Sequence, residues 1–297
     1  MVVRALTLVM LIASVAIAAP KGGAKAAPKP QPRWETLPLP PEMPAATTSG
    51  SVDVKGAKIY YARYGKELKP GGVPVILLHG GMGNSDHFAF QMPALIDKFH
   101  VIVIDSRGQG RSTLSKGKLS YHAMGEDVLA VMDQLEVKRA AFVGWSDGGE
   151  IALDLAIHSP DRVAKIFIVG ANYDGKGTKP RGGSSTPTFQ AYTAKCKADH
   201  AKLGNKPRSF EAAIDALLPV WRNPAGFTKE QLKGIKAPSM ITLGEHDEII
   251  YAAQIEEMGK LIPKGRSLIF KDASHFVMWQ DPEAFNRALV EFLTAPE

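Results

Sequence analysis

The stretch that most restricts this chain is Ala140-Ala141-Phe142-Val143-Gly144-Trp145-Ser146-Asp147-Gly148-Gly149. Ala141, Phe142 and Val143 make an apolar burst of the kind that forms a short buried strand. From Glu150 onward Ile151, Leu153, Leu155 and Ala156 recur at roughly helical spacing, and Pro160 ends the helix. Ser146 therefore sits on a tight strand-to-helix turn, Gly144-x-Ser146-x-Gly148, the pattern of a nucleophile elbow. The glycines are needed because the strained backbone of such a turn leaves no room for β-carbons on close neighbours. The turn also brings the hydroxyl to a helix N-terminus, whose free N–H groups favour developing negative charge.

Around this centre the chain alternates. Runs at 74–78, 100–105 and 165–169 read as central, buried strands, 238–244 and 267–270 read as further strands, and helical patterns at 87–97, 121–135, 252–261 and 282–293 lie between them or close the chain. Residues 52–54 and 58–64, around Lys55-Gly56, read as an antiparallel hairpin. Strands alternating with helices predict an α/β fold, a mostly parallel sheet covered on both faces. The rhythm breaks over 172–235, where Gly and Pro clusters lead into helix-like pieces at 189–203, 210–221 and 228–233. We read this stretch as an inserted helical cap.

The 297 residues, 45% of them hydrophobic, suffice for one such domain over 51–297 with its cap. Arg4, an apolar run at 5–18 and Ala16-Ile17-Ala18 form the pattern of a signal peptide over 1–19. The run is too short for a comfortable membrane span, so the expectation is an exported protein, periplasmic or secreted, with no stable membrane span after cleavage. Residues 20–50, rich in Pro, Ala and Lys, read as a flexible linker. Cys196 is the only cysteine, so no intramolecular disulfide can form. The net charge of +6 comes without a basic stripe interleaved with aromatics, which argues against nucleic-acid binding.

A serine hydroxyl needs an adjacent base, and the base an orienting acid. In a parallel sheet such groups collect at the carboxyl ends of the strands. After the run ending at Leu243 come Glu245, His246, Asp247 and Glu248; after the run ending at Phe270 comes His275. The order Ser146, Asp247, His275 fits the scaffold, with His246 a second choice of base and Glu245 and Glu248 competing as the acid. The N–H groups of Asp147 and Gly81 are the expected oxyanion donors. The cap with Met82, Trp145 and Phe276, and with Phe88 and Trp279, is expected to line a substrate pocket. No metal or cofactor is expected.

Taken together, His79-Gly80-Gly81, the loop Asp105-Ser106-Arg107-Gly108-Gln109-Gly110-Arg111-Ser112, Gly144-Trp145-Ser146-Asp147-Gly148-Gly149, Gly244-Glu245-His246-Asp247 and Ser274-His275-Phe276 resemble the α/β-hydrolase superfamily. The resemblance implies an eight-stranded, mostly parallel sheet with helices on both faces. It also implies a serine hydrolase that cleaves a small carboxylic ester through an acyl-enzyme. The Gly-Trp-Ser-Asp-Gly-Gly variant is similar to the valacyclovir hydrolase (biphenyl hydrolase-like) branch, which implies aminoacyl esters, with Asp147 facing the ammonium group. Arg107 is expected to tie loops together. Lys176, Lys179, Arg181, Lys195 and Lys197 suggest a basic rim on the cap. Lactone, C–C bond or peroxyacid chemistry and proline-iminopeptidase-like amide hydrolysis use the same groups. A non-catalytic ligand-binding protein is the rival from another class.

Overall fold

Eight strands build one sheet in the order β1-β2-β4-β3-β5-β6-β7-β8 in the computed structural model, which describes residues 30–115, 117–183, 185–203, 209–222 and 226–297. The expected signal peptide and residues 20–29 of the expected linker lie outside the described residues. β1 (Thr48–Val54) and β2 (Ala57–Gly65) pair antiparallel around Lys55-Gly56, both at positive φ, as a two-residue hairpin turn requires. β2 pairs antiparallel with β4. From there β3 (Val75–Leu78), β4 (His100–Ile104), β5 (Ala140–Trp145), β6 (Val163–Val169), β7 (Ser239–Gly244) and β8 (Gly265–Phe270) run parallel.

Every residue of β3, β4, β5 and β6 is buried, and the pleat explains why these strands are apolar without a break. Ile76 and Leu78 enter one core with Ile102, Ile104 and Phe142, whereas Val75 and Leu77 enter the other with Val101, Val103 and Val143. Nine helices occur among the described residues, numbered in chain order: α1 (Met92–Ile96), α2 (Tyr121–Gln134), α3 (Asp147–His158), α4 (Pro187–Leu203), α5 (Phe210–Arg222), α6 (Lys229–Lys233), α7 (Ala252–Leu261), α8 (Val277–Gln280) and α9 (Pro282–Thr294). The first core is shared by α2, α3 and α7, the second by α1, α8 and α9. The helix expected over 87–97 is instead a short 3-10 turn, Ser85–Phe88, capped by the Asn84 side chain, followed by α1 with Pro93 in its first turn. Two start signals, Asn84 and Pro93, divide what the apolar spacing alone would join.

Between β6 and β7 no described residue joins the main sheet, and α4, α5 and α6 occupy the excursion. Their bounds lie within two residues of the expected pieces at each end. The N-terminal side departs from expectation. β1 opens at Thr48 rather than Ser51, and residues 33–36 are fixed to the domain rather than loose. Arg33 donates to the carbonyls of Asp272 (3.0 Å) and Lys271 (2.8 Å) and to the Asp281 carboxylate (2.6 Å). Gln280 donates to the carbonyls of Trp34 (3.2 Å) and Thr36 (2.8 Å). These bonds are made by polar groups, mostly to main-chain atoms, which leaves no apolar period for the sequence to display.

Candidate active site

Four loops at the carboxyl ends of β3, β5, β7 and β8 meet beneath the cap. At the end of β5, Ser146 has φ 52° and ψ −120°, a backbone region that costs a non-glycine residue energy and recurs where function needs it. The residues two positions to either side cannot be larger than glycine. A β-carbon at Gly148 would sit on the Leu78 carbonyl, and one at Gly144 on the Gly148 carbonyl. α3 begins at Asp147, so Ser146 lies at its positive end.

His275 follows β8. Its Nδ1 donates to Asp247 Oδ2 at 2.7 Å, and both residues are buried. The other carboxylate oxygen, Oδ1, accepts the N–H groups of Ile249 (2.8 Å) and Ile250 (2.7 Å), so Asp247 cannot rotate away from the ring. Burial disfavours the imidazolium, but the charge and hydrogen bond of Asp247 outweigh it, holding His275 above the ordinary histidine value. Gly170 allows this approach: a β-carbon there would lie 2.7 Å from His275 Cε1. Trp145, next to Ser146, donates its indole N–H to the His275 carbonyl at 3.1 Å. Ser146 and His275 lie on the wall of one cavity of about 620 Å³.

The competing groups are elsewhere. Glu248 accepts the His275 main-chain N–H (3.0 Å) and the Thr188 hydroxyl (2.8 Å). Glu245 is paired with Lys271 at 2.6 Å, and His246 stacks on Trp34 with ring centroids 3.9 Å apart. None of these three lines the cavity.

Gly81 and Asp147 also line the cavity, and their main-chain N–H groups have no acceptor among the described residues. His79 fixes the loop that carries Gly81. Its Nε2 accepts from Ser106 N (2.9 Å), so the proton is on Nδ1, which donates to Gly80 O (2.8 Å). Met82, at φ 65°, and Trp145 reach the cavity as expected. Phe276 does not. It is fully buried with Phe88 and Trp279, packed against Trp145 and Tyr192, and none of the three touches the cavity. Sequence cannot separate an aromatic in the core from one on a cavity wall. Phe276→Ala is therefore expected to lower stability by about 3–5 kcal/mol with KM little changed, read by denaturant unfolding beside steady-state kinetics.

Sequence reasoning missed what surrounds Asp147. Its carboxylate accepts the Tyr121 hydroxyl (3.1 Å) and the Trp221 indole N–H (3.1 and 3.0 Å to its two oxygens). Burial raises its pKa while these two bonds hold it down. Beside it Glu150 is buried as well, and burial, with the charge of Asp147 adding, lifts its carboxyl well above the usual range. Tyr192, from α4, donates to the Gly81 carbonyl at 2.7 Å and so ties the cap to the loop after β3. Nothing in a single sequence pairs Trp221 or Tyr192 with residues more than seventy positions away. Two cations of the expected basic rim are paired with acids, Lys195 with Asp199 (2.9 Å) and Lys197 with Glu211 (2.7 Å), and Lys179 donates to the Asp247 carbonyl. Arg107 does tie loops together, bonding Asp127, the Ser115 hydroxyl and the Val54 carbonyl.

A profile of the α/β hydrolase fold matches residues 73–200. The putative carbamate hydrolase RutD of Caulobacter segnis is 39% identical over 276 residues, covering 83% of this chain and 98% of that protein. The chain belongs to the α/β-hydrolase family. Among α/β-hydrolase structures, one described as "Est816 as an N-Acyl homoserine lactone degrading enzyme" is 30% identical with TM-score 0.69, over 82% of this chain and all of that one. The meta-cleavage product hydrolase of Pseudomonas fluorescens IP01 superposes with TM-score 0.70 over 82% of this chain and 97% of its own; at 21% identity the likeness is one of fold. As an α/β hydrolase, the chain has its eight-stranded sheet and its β5–α3 elbow in the arrangement its motifs imply.

Proposed function

We propose that this α/β hydrolase is an exported serine hydrolase that cleaves a small carboxylic ester through an acyl-enzyme on Ser146. In this reading His275 Nε2 takes the serine proton as Oγ attacks the acyl carbon, then returns it to the leaving alcohol. Water, deprotonated by the same nitrogen, releases the acid and restores the serine. Asp247 holds the ring with Nε2 toward the cavity, and the Gly81 and Asp147 N–H groups receive the oxyanion. The observation that carries the reading is the His275–Asp247 pair, 2.7 Å apart, on the wall of the cavity that also holds Ser146 on its strained elbow. Export rests on the sequence alone, on Arg4, the apolar run at 5–18 and Ala16-Ile17-Ala18.

The acyl group is the open choice. Est816's description and RutD's name place lactones and carbamates beside esters in a substrate panel, and the same attack serves all three. Aminoacyl esters belong in it because of Asp147. A carboxylate has about four acceptor positions, and two donors, Tyr121 and Trp221, leave room on Asp147 for an ammonium group. Asp147→Asn keeps the main-chain N–H and removes the charge. It is expected to lower kcat/KM on aminoacyl esters about 10- to 100-fold relative to acyl esters of the same alcohol. An equal loss across the panel would remove the ammonium reading and leave the serine chemistry standing. Labelling of the folded protein by a fluorophosphonate separates the hydrolase from a ligand-binding protein that merely keeps the scaffold.

A further inference from the structure

A second cluster of chemistry-bearing side chains lies on the outer side of the α2–α3 pair. Asp154 and His158 are one helical turn apart on α3, and His122 faces them from α2. His122 Nδ1 is 3.3 Å from Asp154 Oδ1 and 3.1 Å from Oδ2; His158 Nδ1 is 3.0 Å from Oδ1 and 3.1 Å from the Asp154 main-chain oxygen. All three ligating atoms lie within 4.8 Å of one another. The two imidazoles are 5.0 Å apart and close to perpendicular, as two rings around a common point would be. None of the three residues lines the cavity of Ser146.

We infer that His122, Asp154 and His158 form a binding site for a divalent transition-metal ion of the zinc type, which clamps α2 to α3. The donor set is two imidazole nitrogens and one carboxylate oxygen, which suits zinc, cobalt, nickel or copper and not magnesium or calcium. Two of the three ligand spacings already suit such an ion. Tetrahedral zinc with bonds of about 2.0–2.1 Å separates its ligands by roughly 3.3 Å, and the Asp154 Oδ1 to Nδ1 distances are already 3.3 and 3.0 Å. The ion binds the Nδ1 lone pair of each neutral ring, whose single proton then sits on Nε2, so a ring that had its proton on Nδ1 changes tautomer and releases none. Asp154 is almost wholly buried while both histidines are exposed, so the carboxylate is the fixed base of the site and solvent can supply the fourth ligand.

Gly125 makes the site sterically open. A β-carbon there would lie 2.9 Å from Asp154 Oδ2, so any larger residue on α2 would push the carboxylate aside. The other described cluster of this kind, Glu245, His246 and Asp272, is already engaged through the Glu245–Lys271 pair and the Trp34–His246 stack. The clamp sits one residue from Tyr121, which reaches inward to Asp147 at the start of α3. It thus joins the turn of α2 that holds Asp147 to the far end of the helix that Asp147 begins.

The test is calorimetric titration of the full, tag-free chain with zinc, alongside cobalt absorption and thermal melts. The expected result is one zinc per chain, a cobalt visible spectrum of four-coordinate type, and a Tm rise of at least about 3 °C at saturating zinc. His122→Ala and His158→Ala should each weaken binding at least about tenfold, whereas His246→Ala should leave it unchanged. Because both histidines are solvent-exposed, these variants are expected to keep the wild-type fold, with circular dichroism as the check. Absence of saturable binding up to about 1 mM zinc, or binding that survives loss of both His122 and His158, would overturn the assignment. Equal binding of calcium would overturn it as well.

Discussion

Ser146→Ala is expected to lower kcat on whichever ester of the panel is best by about 10⁵- to 10⁶-fold, with substrate affinity almost unchanged. In the proposed reaction the hydroxyl supplies the bond-forming atom, and no other described hydroxyl nucleophile stands on the cavity wall beside His275 at a helix N-terminus. What survives should be the residual rate that preorganised N–H donors give to attack by water, roughly 10³- to 10⁴-fold over the uncatalysed reaction. Alanine adds no volume at the elbow, so the variant should melt like the parent. It should also lose all labelling by fluorophosphonates. A Ser146→Ala protein that hydrolyses p-nitrophenyl esters at the parent rate would end the serine-hydrolase reading.

Asp247→Asn is the second large effect, a fall of about 10⁴-fold in kcat. Asparagine preserves shape but presents an amide where His275 needs an acceptor, which favours the wrong tautomer. The pH profile adds a readout that a merely structural role would not move. The base acts when neutral, so kcat/KM climbs as pH rises through the pKa of His275. Asp247 keeps that pKa above the ordinary histidine value against the opposing effect of burial. In the parent, the acid limb of the profile should therefore lie above the usual imidazole range. With the charge removed, burial acts unopposed and the limb should move to lower pH. An unchanged limb in Asp247→Asn would mean that a different group titrates.

The parts of this fold that declare themselves in sequence are those with a period. Val75, Ile76, Leu77 and Leu78 are apolar without a break because both faces of β3 are covered, and the same holds for β4, β5 and β6. The candidates Ser146, Asp247 and His275 could be singled out because a parallel sheet delivers its loops to one edge and because glycines mark where backbone must pass close. The alternatives at 245, 246 and 248 could be resolved only by direction, which depends on the turn after β7 and on Lys271 and Trp34 arriving from distant segments. Phe276 was misplaced because an aromatic beside a functional histidine looks the same in sequence whether it faces a cavity or the second core. Trp221 and Tyr121 escaped notice since they reach Asp147 from two separate helices, α5 and α2. The clamp residues His122 and His158 likewise read as ordinary helix-surface histidines until the two helices are set side by side.

The short strap at 33–36 has a practical consequence for anyone trimming this protein. Composition alone would place the first indispensable residue near Ser51. Yet Gln280, which bonds the carbonyls of Trp34 and Thr36, also holds Ser274 on both sides, accepting its main-chain N–H at 2.7 Å and donating to its hydroxyl at 3.0 Å. Trp34 meanwhile leans on His246, the residue before Asp247. A version begun at Ser51 would thus cut the guy-ropes of both loops that carry Asp247 and His275, while shortening β1 at its start and leaving β2 to β8 intact. The safe boundary for truncation or fusion falls ahead of Pro32.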